Sequence, residues 1–274
     1  MMNFRGLRAT VAAAVPVLLL VPAALAAQGF EGVIRQRVRV VMPQAIAGVA
    51  GKESTDPAEI LDAVAAGIGA GTSEGVLQQD VTLTVKGTKM RIDGAVGAAG
   101  PGSYSVVDAA RATMYTVIPA QQQILVATQA DLTAMQQQLR QRAGQEAPAT
   151  ARPKMTSLGA KRVAGVAANG YRLTSPDGAA NVWIDPLLGA ALAPFNSMQA
   201  GTGMGATPIQ EAVRALGVPI ESQIVLKSPM FGGGWLFNAA EVTSISKQPV
   251  ADTLFALPAD YKQVSLGQMM GPGR

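Results

Sequence analysis

Histidine and cysteine, the side chains behind most imidazole, thiolate and soft-metal chemistry, do not occur in this sequence. Without them there is no Ser/His/Asp triad, imidazole base, thiolate nucleophile, zinc–thiolate site or iron–sulfur cluster. Carboxylate pairs, Lys and Tyr are what remain for catalysis. Asp80, Asp93, Asp108, Asp177, Asp185, Asp252 and Asp260 stand at strand ends or in turns, where such side chains bond the local backbone. No two of them have the spacing of an oxygen-ligand calcium loop. No catalytic residue, metal or cofactor is expected.

Three glycine-rich segments bear on phosphate binding. Gly67 to Gly71 follows a helical stretch, the reverse of the strand–turn–helix order of a dinucleotide site. Gly201 to Gly205 lacks the Lys-Ser/Thr of a nucleotide loop, and Gly232 to Gly234 lies between two strand-like runs. All three read as loops.

Binding chemistry is better represented. Met198, Met204 and Met230 fall in apolar stretches beside leucines and phenylalanines, and Met adapts to irregular apolar partners. Leu187, Leu188, Leu192, Phe195, Met198 and Phe231 are the candidate lining of an apolar ligand site. Arg35, Arg37 and Arg39 recur at every second position and form a basic stripe. It is either a solvated sheet face or a contact for anionic headgroups or an acidic partner protein. Aromatics make up 4% of the chain and the net charge is only +4, too little stacking surface and field for nucleic acid.

The elements that position these residues begin after an export-like start. Arg5 and Arg8 precede an apolar run from Val11 to Leu25, and Ala24-Leu25-Ala26 has the small-x-small form of a signal peptidase site. The run is shorter than the roughly 20 residues needed to cross a membrane. Residues 1–26 are expected to be a cleaved signal peptide. With no cysteine after the run there is no lipid attachment, and the product is expected in the periplasm or secreted, touching membranes peripherally at most. Removing Arg5 and Arg8 leaves 20 basic against 18 acidic side chains, a net of +2. An exported chain without disulfides must rely on a packed core.

Phe30 to Met42 alternates as a strand, with Ile34, Val38 and Val40 on one parity and the arginines on the other. Asp56-Pro57-Ala58-Glu59 has the order of a helix start, with Asp56 as N-cap. Val81 to Asp93 reads as a hairpin turning at Lys86-Gly87-Thr88-Lys89. Strands are predicted at 103–107, 112–118 and 123–128, and a helix at 130–142. A flexible loop is expected near 143–153. Strands at 157–163, 170–174, 179–184, 220–227 and 235–245 follow, with a helix or apolar loop at 186–198 and a helix at 209–216. Residues 27–263 are expected to form one β-rich domain and 264–274 a disordered tail.

Several segments carry a resemblance. Phe30 to Ile34, Val85 to Asp93, Met114 to Pro119, Asp177-Gly178 through Asp185 and Phe255 to Lys262 stand in an order that resembles an exported bacterial family with a domain of unknown function. More distantly it is similar to the LolA/LolB-like lipoprotein carriers. The resemblance implies a half-barrel of antiparallel strands closed by helices, with a cavity that in the carriers holds acyl chains. The helix at 56–67 and the Met/Gly-rich stretch at 198–205 depart from the carriers.

The expected fold is therefore α+β, mainly β: a curved antiparallel sheet or half-barrel of about ten strands, with helices on its concave face. The expected function is a non-enzymatic binding or carrier role for a lipid, acyl or lipoprotein ligand. The alternative is a structural or interaction module of the envelope that meets another protein and holds no small ligand.

Overall fold

The computed structural model describes residues 30–51, 54–94, 100–142, 152–199, 207–228 and 233–269. The expected signal peptide, the loop near 143–153 up to residue 151, and Phe231 lie outside them.

The strands are β1 (Glu31–Val41), β2 (Val76–Lys86), β3 (Lys89–Asp93), β4 (Tyr104–Asp108), β5 (Thr113–Ile118), β6 (Gln123–Thr128), β7 (Lys154–Val163), β8 (Val166–Ser175), β9 (Gly178–Ile184), β10 (Pro219–Ser228), β11 (Gly234–Lys247) and β12 (Lys262–Ser265). The helices are α1 (Pro43–Ala50), α2 (Pro57–Gly69), α3 (Gln129–Arg142), α4 (Pro186–Gln199), α5 (Pro208–Leu216) and α6 (Leu266–Met269).

All twelve strands join one open half-barrel sheet in the order β12-β6-β5-β4-β3-β2-β1-β11-β10-β9-β8-β7. Two antiparallel meanders, β1–β6 and β7–β11, meet where β1 pairs with β11. The β2–β3 turn falls at Gly87, whose φ of 58° suits a residue without Cβ. The sheet has more strands than expected because β12 adds to β6 in parallel, opposite to every other pairing. This corrects the expectation of a tail disordered from residue 264: Val264 and Ser265 complete β12 opposite Leu125 and Val126, and α6 follows directly.

A β-bulge decides which residues face inward at the central pair. Arg35 pairs with Ser244 and Gln36 with Val242, so Thr243 is the extra residue, and its hydroxyl donates to the Arg35 carbonyl at 3.2 Å. The shift lets Ile245 and Val242, of opposite parity, both join the main core beside Ile34.

Helices pack on both faces. Leu188, Leu192 and Phe195 of α4 enter the main core with Ile34, Leu83 and Val242, on what we term the inner face. Ile224 and Leu226 share the parity of Ser222 on that face and pack beside Ile209 and Val213 of α5. Val41 and Phe237 have the other parity and are fully buried against Ile46 and Val49 of α1 and Ile60, Leu61 and Val64 of α2.

Two side-chain contacts fix α2. Asp56 accepts from the Ala58 N–H at 2.7 Å as its N-cap, and Asp62 pairs with Arg172 of β8. The outer face of β3–β5 is covered by the segment around Val250 and Phe255, which packs on Val106. Arg91 holds it there: its guanidinium bonds Asp93, lies 3.8 Å over the Tyr104 ring and donates to the Leu254 carbonyl at 3.1 Å. The hydrogen bond from Arg91 to Asp93 raises the arginine's pKa.

Candidate functional site

Cross-strand register builds a cavity floor on the inner face, one row at a time. The innermost row is Ile34, Leu83 and Ile92, one residue from each of β1, β2 and β3, with Ile245 of β11 paired to Ile34 behind the lining. The next is Val242, Gln36 and Val81, and the third is Ser222, Ala240, Val38 and Gln79. Beyond it Val40 pairs with Leu77, which is 63% exposed. Period-2 alternation puts all of these on one face.

The roof is α4. Leu188, Leu192 and Phe195 lie at i, i+4 and i+7, one stripe of a helix, and are 6%, 5% and 1% exposed. Asp185 starts the helix by accepting the Leu187 N–H at 2.9 Å. Between roof and floor is a cavity of about 440 Å³, also bounded by Met90, Val218 and Pro219. Its size falls in the ~300–1,000 Å³ range of small-molecule sites. Among the described residues of the lining only Gln36, Gln79 and Ser222 are polar, and none is charged.

The predicted binding residues divide accordingly. Leu188, Leu192 and Phe195 line this cavity. Leu187 sits one residue off the stripe and points to solvent, 82% exposed. Met198 falls in the last turn of α4 with its side chain outside the described set, as Phe231 is altogether. Residues of β1, β2 and β3 supply more than half of the described lining and were missed. A signal for them exists in the sequence. Gln36 interrupts the apolar parity of Ile34, Val38 and Val40, and Gln79 leads into the parity of Val81 and Leu83. An amide on the core-facing side of a strand marks a place where the core is not solid.

The arginine stripe lies on the opposite face. Arg37 bonds Asp80 at 3.2 Å, and Arg39 bonds Gln78 at 2.9 Å and lies 3.9 Å from Glu241. Arg35 is exposed and has no ion pair among the described residues. Most of the stripe's charge is thus matched within the sheet, which weakens it as a surface for anions. The carboxylates behave as the turn reading expects at several positions: Asp108 accepts from the Arg111 N–H at 3.2 Å, and Asp185 caps α4.

A family model described as a domain of unknown function, DUF4412, matches residues 71–261, more than half of the chain. The chain belongs to the DUF4412 family. The match takes in the cavity residues of β2, β3, α4, β10 and β11 and leaves β1, with Gln36 and the arginines, outside. It agrees with the resemblance carried by the sequence motifs.

Comparison with curated protein sequences gave no match for this DUF4412 member. Solved structures of similar outline include an uncharacterized conserved protein from Thermus thermophilus, at 9% identity and TM-score 0.39, covering 88% of this chain and 95% of that one. The Pseudomonas aeruginosa MucA/MucB complex aligns at 12% identity and TM-score 0.34, covering 88% and 60%. A putative outer membrane lipoprotein-sorting protein domain from Vibrio parahaemolyticus aligns at 7% identity and TM-score 0.30, covering 85% and 92%. With TM-scores this low, these likenesses carry no functional argument. Among the described residues no helix is long and apolar enough to cross a membrane.

Proposed function

We propose that this DUF4412 protein is a non-enzymatic binding or carrier protein for an apolar, acyl-type ligand, acting in the periplasm or outside the cell after signal cleavage. The observation that carries this reading is the cavity of about 440 Å³ under α4, with no charge among the described residues of its lining. Such a space binds by burial of apolar area. A ligand hiding roughly 300 Å² gains on the order of 7 kcal/mol before association costs. The signal-like start supports the location, and the missing His and Cys support a role without the commonest catalytic groups.

Filling the cavity tests this directly. Val38 lies mid-floor between Ala240 and Gln79, so Val38→Trp puts an indole in the ligand's place. Wild type should bind an uncharged solvatochromic dye saturably, and Val38→Trp should bind it at least tenfold more weakly with an unchanged circular dichroism spectrum. Ala240→Phe serves as a second filler if the tryptophan unfolds the chain. Equal dye binding by wild type and a folded filled variant would contradict the proposal.

A further inference from the structure

The polar groups of the cavity are few, and their placement separates one class of amphiphile from another. Gln36 pairs with Val81 and Gln79 with Val38, so the two amides are diagonal neighbours across β1 and β2, a spacing that long side chains bridge. Neither amide has a hydrogen-bond partner among the described residues. Toward the interior, the floor row of Ile34, Leu83 and Ile92 is apolar throughout, and Ile34 and Met90 beside it are nearly inaccessible. In the other direction the lining ends at half-buried Val40, whose strand partner Leu77 is exposed. The cavity therefore has a closed apolar end, an amide band in the middle and an open end.

Its electrostatics are set by strand parity. The charged residues of the same strand segments, Arg35, Arg37, Arg39 and Asp80, project from the opposite face, and Arg37 and Asp80 pair there. A carboxylate or phosphate drawn to the amide band would lose water without meeting a cation among the described lining residues, which strongly disfavours the charged form. Amide side chains offer donors and acceptors together and suit a hydroxyl, ester or amide group. The volume of about 440 Å³ holds roughly fifteen water-sized groups at ~30 Å³ each, which is one hydrocarbon chain with a small head.

Resting on the carrier reading above, we propose that the ligand is an uncharged single-chain amphiphile. Its tail lies against Ile34, Leu83 and Ile92, and its neutral head hydrogen-bonds Gln36 and Gln79. The specificity is for the absence of charge as much as for the chain.

Competition against the bound solvatochromic dye at pH 8 tests this, with 1-monolauroylglycerol and laurate as probes of equal chain length and opposite head character. Wild type should release dye at a monolauroylglycerol concentration at least tenfold below that required for laurate. The Gln36→Leu/Gln79→Leu double variant, with its own dye affinity measured first, should bind monolauroylglycerol at least tenfold more weakly than wild type does. Laurate competing as well as or better than monolauroylglycerol would overturn this inference while leaving the carrier reading intact. Monolauroylglycerol bound as tightly by the double variant as by wild type would likewise overturn the assignment of the head to the amides. A wild-type protein that takes up no dye would instead refute the carrier reading itself.

Discussion

Gly67 sits where α2 crosses α1, and a Cβ built there would overlap the backbone carbonyl oxygen of Val49. Backbone cannot swing aside as the end of a long side chain can, so Gly67→Ala must push α1 outward. The loss should be about 1–3 kcal/mol, the usual cost of overpacking, seen as a lower urea midpoint with unchanged slope. A second prediction concerns Asp131, which accepts from the Thr128 N–H at 2.9 Å and the Thr128 hydroxyl at 2.7 Å at the start of α3. The backbone bond from Thr128, followed by the hydroxyl bond, lowers its pKa. A lowered folded pKa means that this contribution is fully present above the usual carboxylate pKa and is lost as pH falls through the folded value. Amide exchange at Thr128 should therefore quicken relative to the rest of β6 only in acid. Asp131→Asn should remove that pH dependence. Single residues were legible where their chemistry is local. Asp56 as a cap and Gly87 in a turn follow from the sequence, whereas the constraint on Gly67 comes from a helix that was not foreseen.

Among the elements, α4 bears most directly on the site. Phe195 is 1% exposed and closes the roof, so Phe195→Ala should cost about 3–5 kcal/mol in chemical denaturation and enlarge the cavity. Leu187, on the solvent side of the same helix, can become Ser with a change within about 0.5 kcal/mol. Most strands were legible because alternation is strong in Ile34 to Val40 and in Val81 to Ile92. Two elements were not. The helix α1 is eight residues of mostly Ala, Gly and Val with no side-chain cap, and its buried Ile46 and Val49 are held by α2 and Phe237. Strand β12 is four residues beginning Lys262-Gln263, and it forms only because the edge of β6 is available. Both depend on tertiary partners that no local pattern encodes. The cavity was legible by half. The stripe of Leu188, Leu192 and Phe195 stands out in sequence, but the floor requires the register of β10, β11, β1, β2 and β3.

At the scale of the whole molecule, the β1–β11 pairing joins two meanders into a single sheet, and the cavity straddles that seam. The floor thus draws on residues some two hundred positions apart, such as Val38 and Ala240. A sheet of this kind could have been sealed by larger side chains, yet the seam carries Ala240, Ser222 and two amides beneath a helix. The apolar occupant proposed above would account for that choice of residues. The most direct test is native mass spectrometry of the protein purified from its own envelope, followed by organic extraction of what it carries. The account predicts a mass excess that the extraction releases as an apolar single-chain species, absent from the Val38→Trp variant. A wild-type protein that flies at its bare mass and binds no uncharged lipid probe would contradict it.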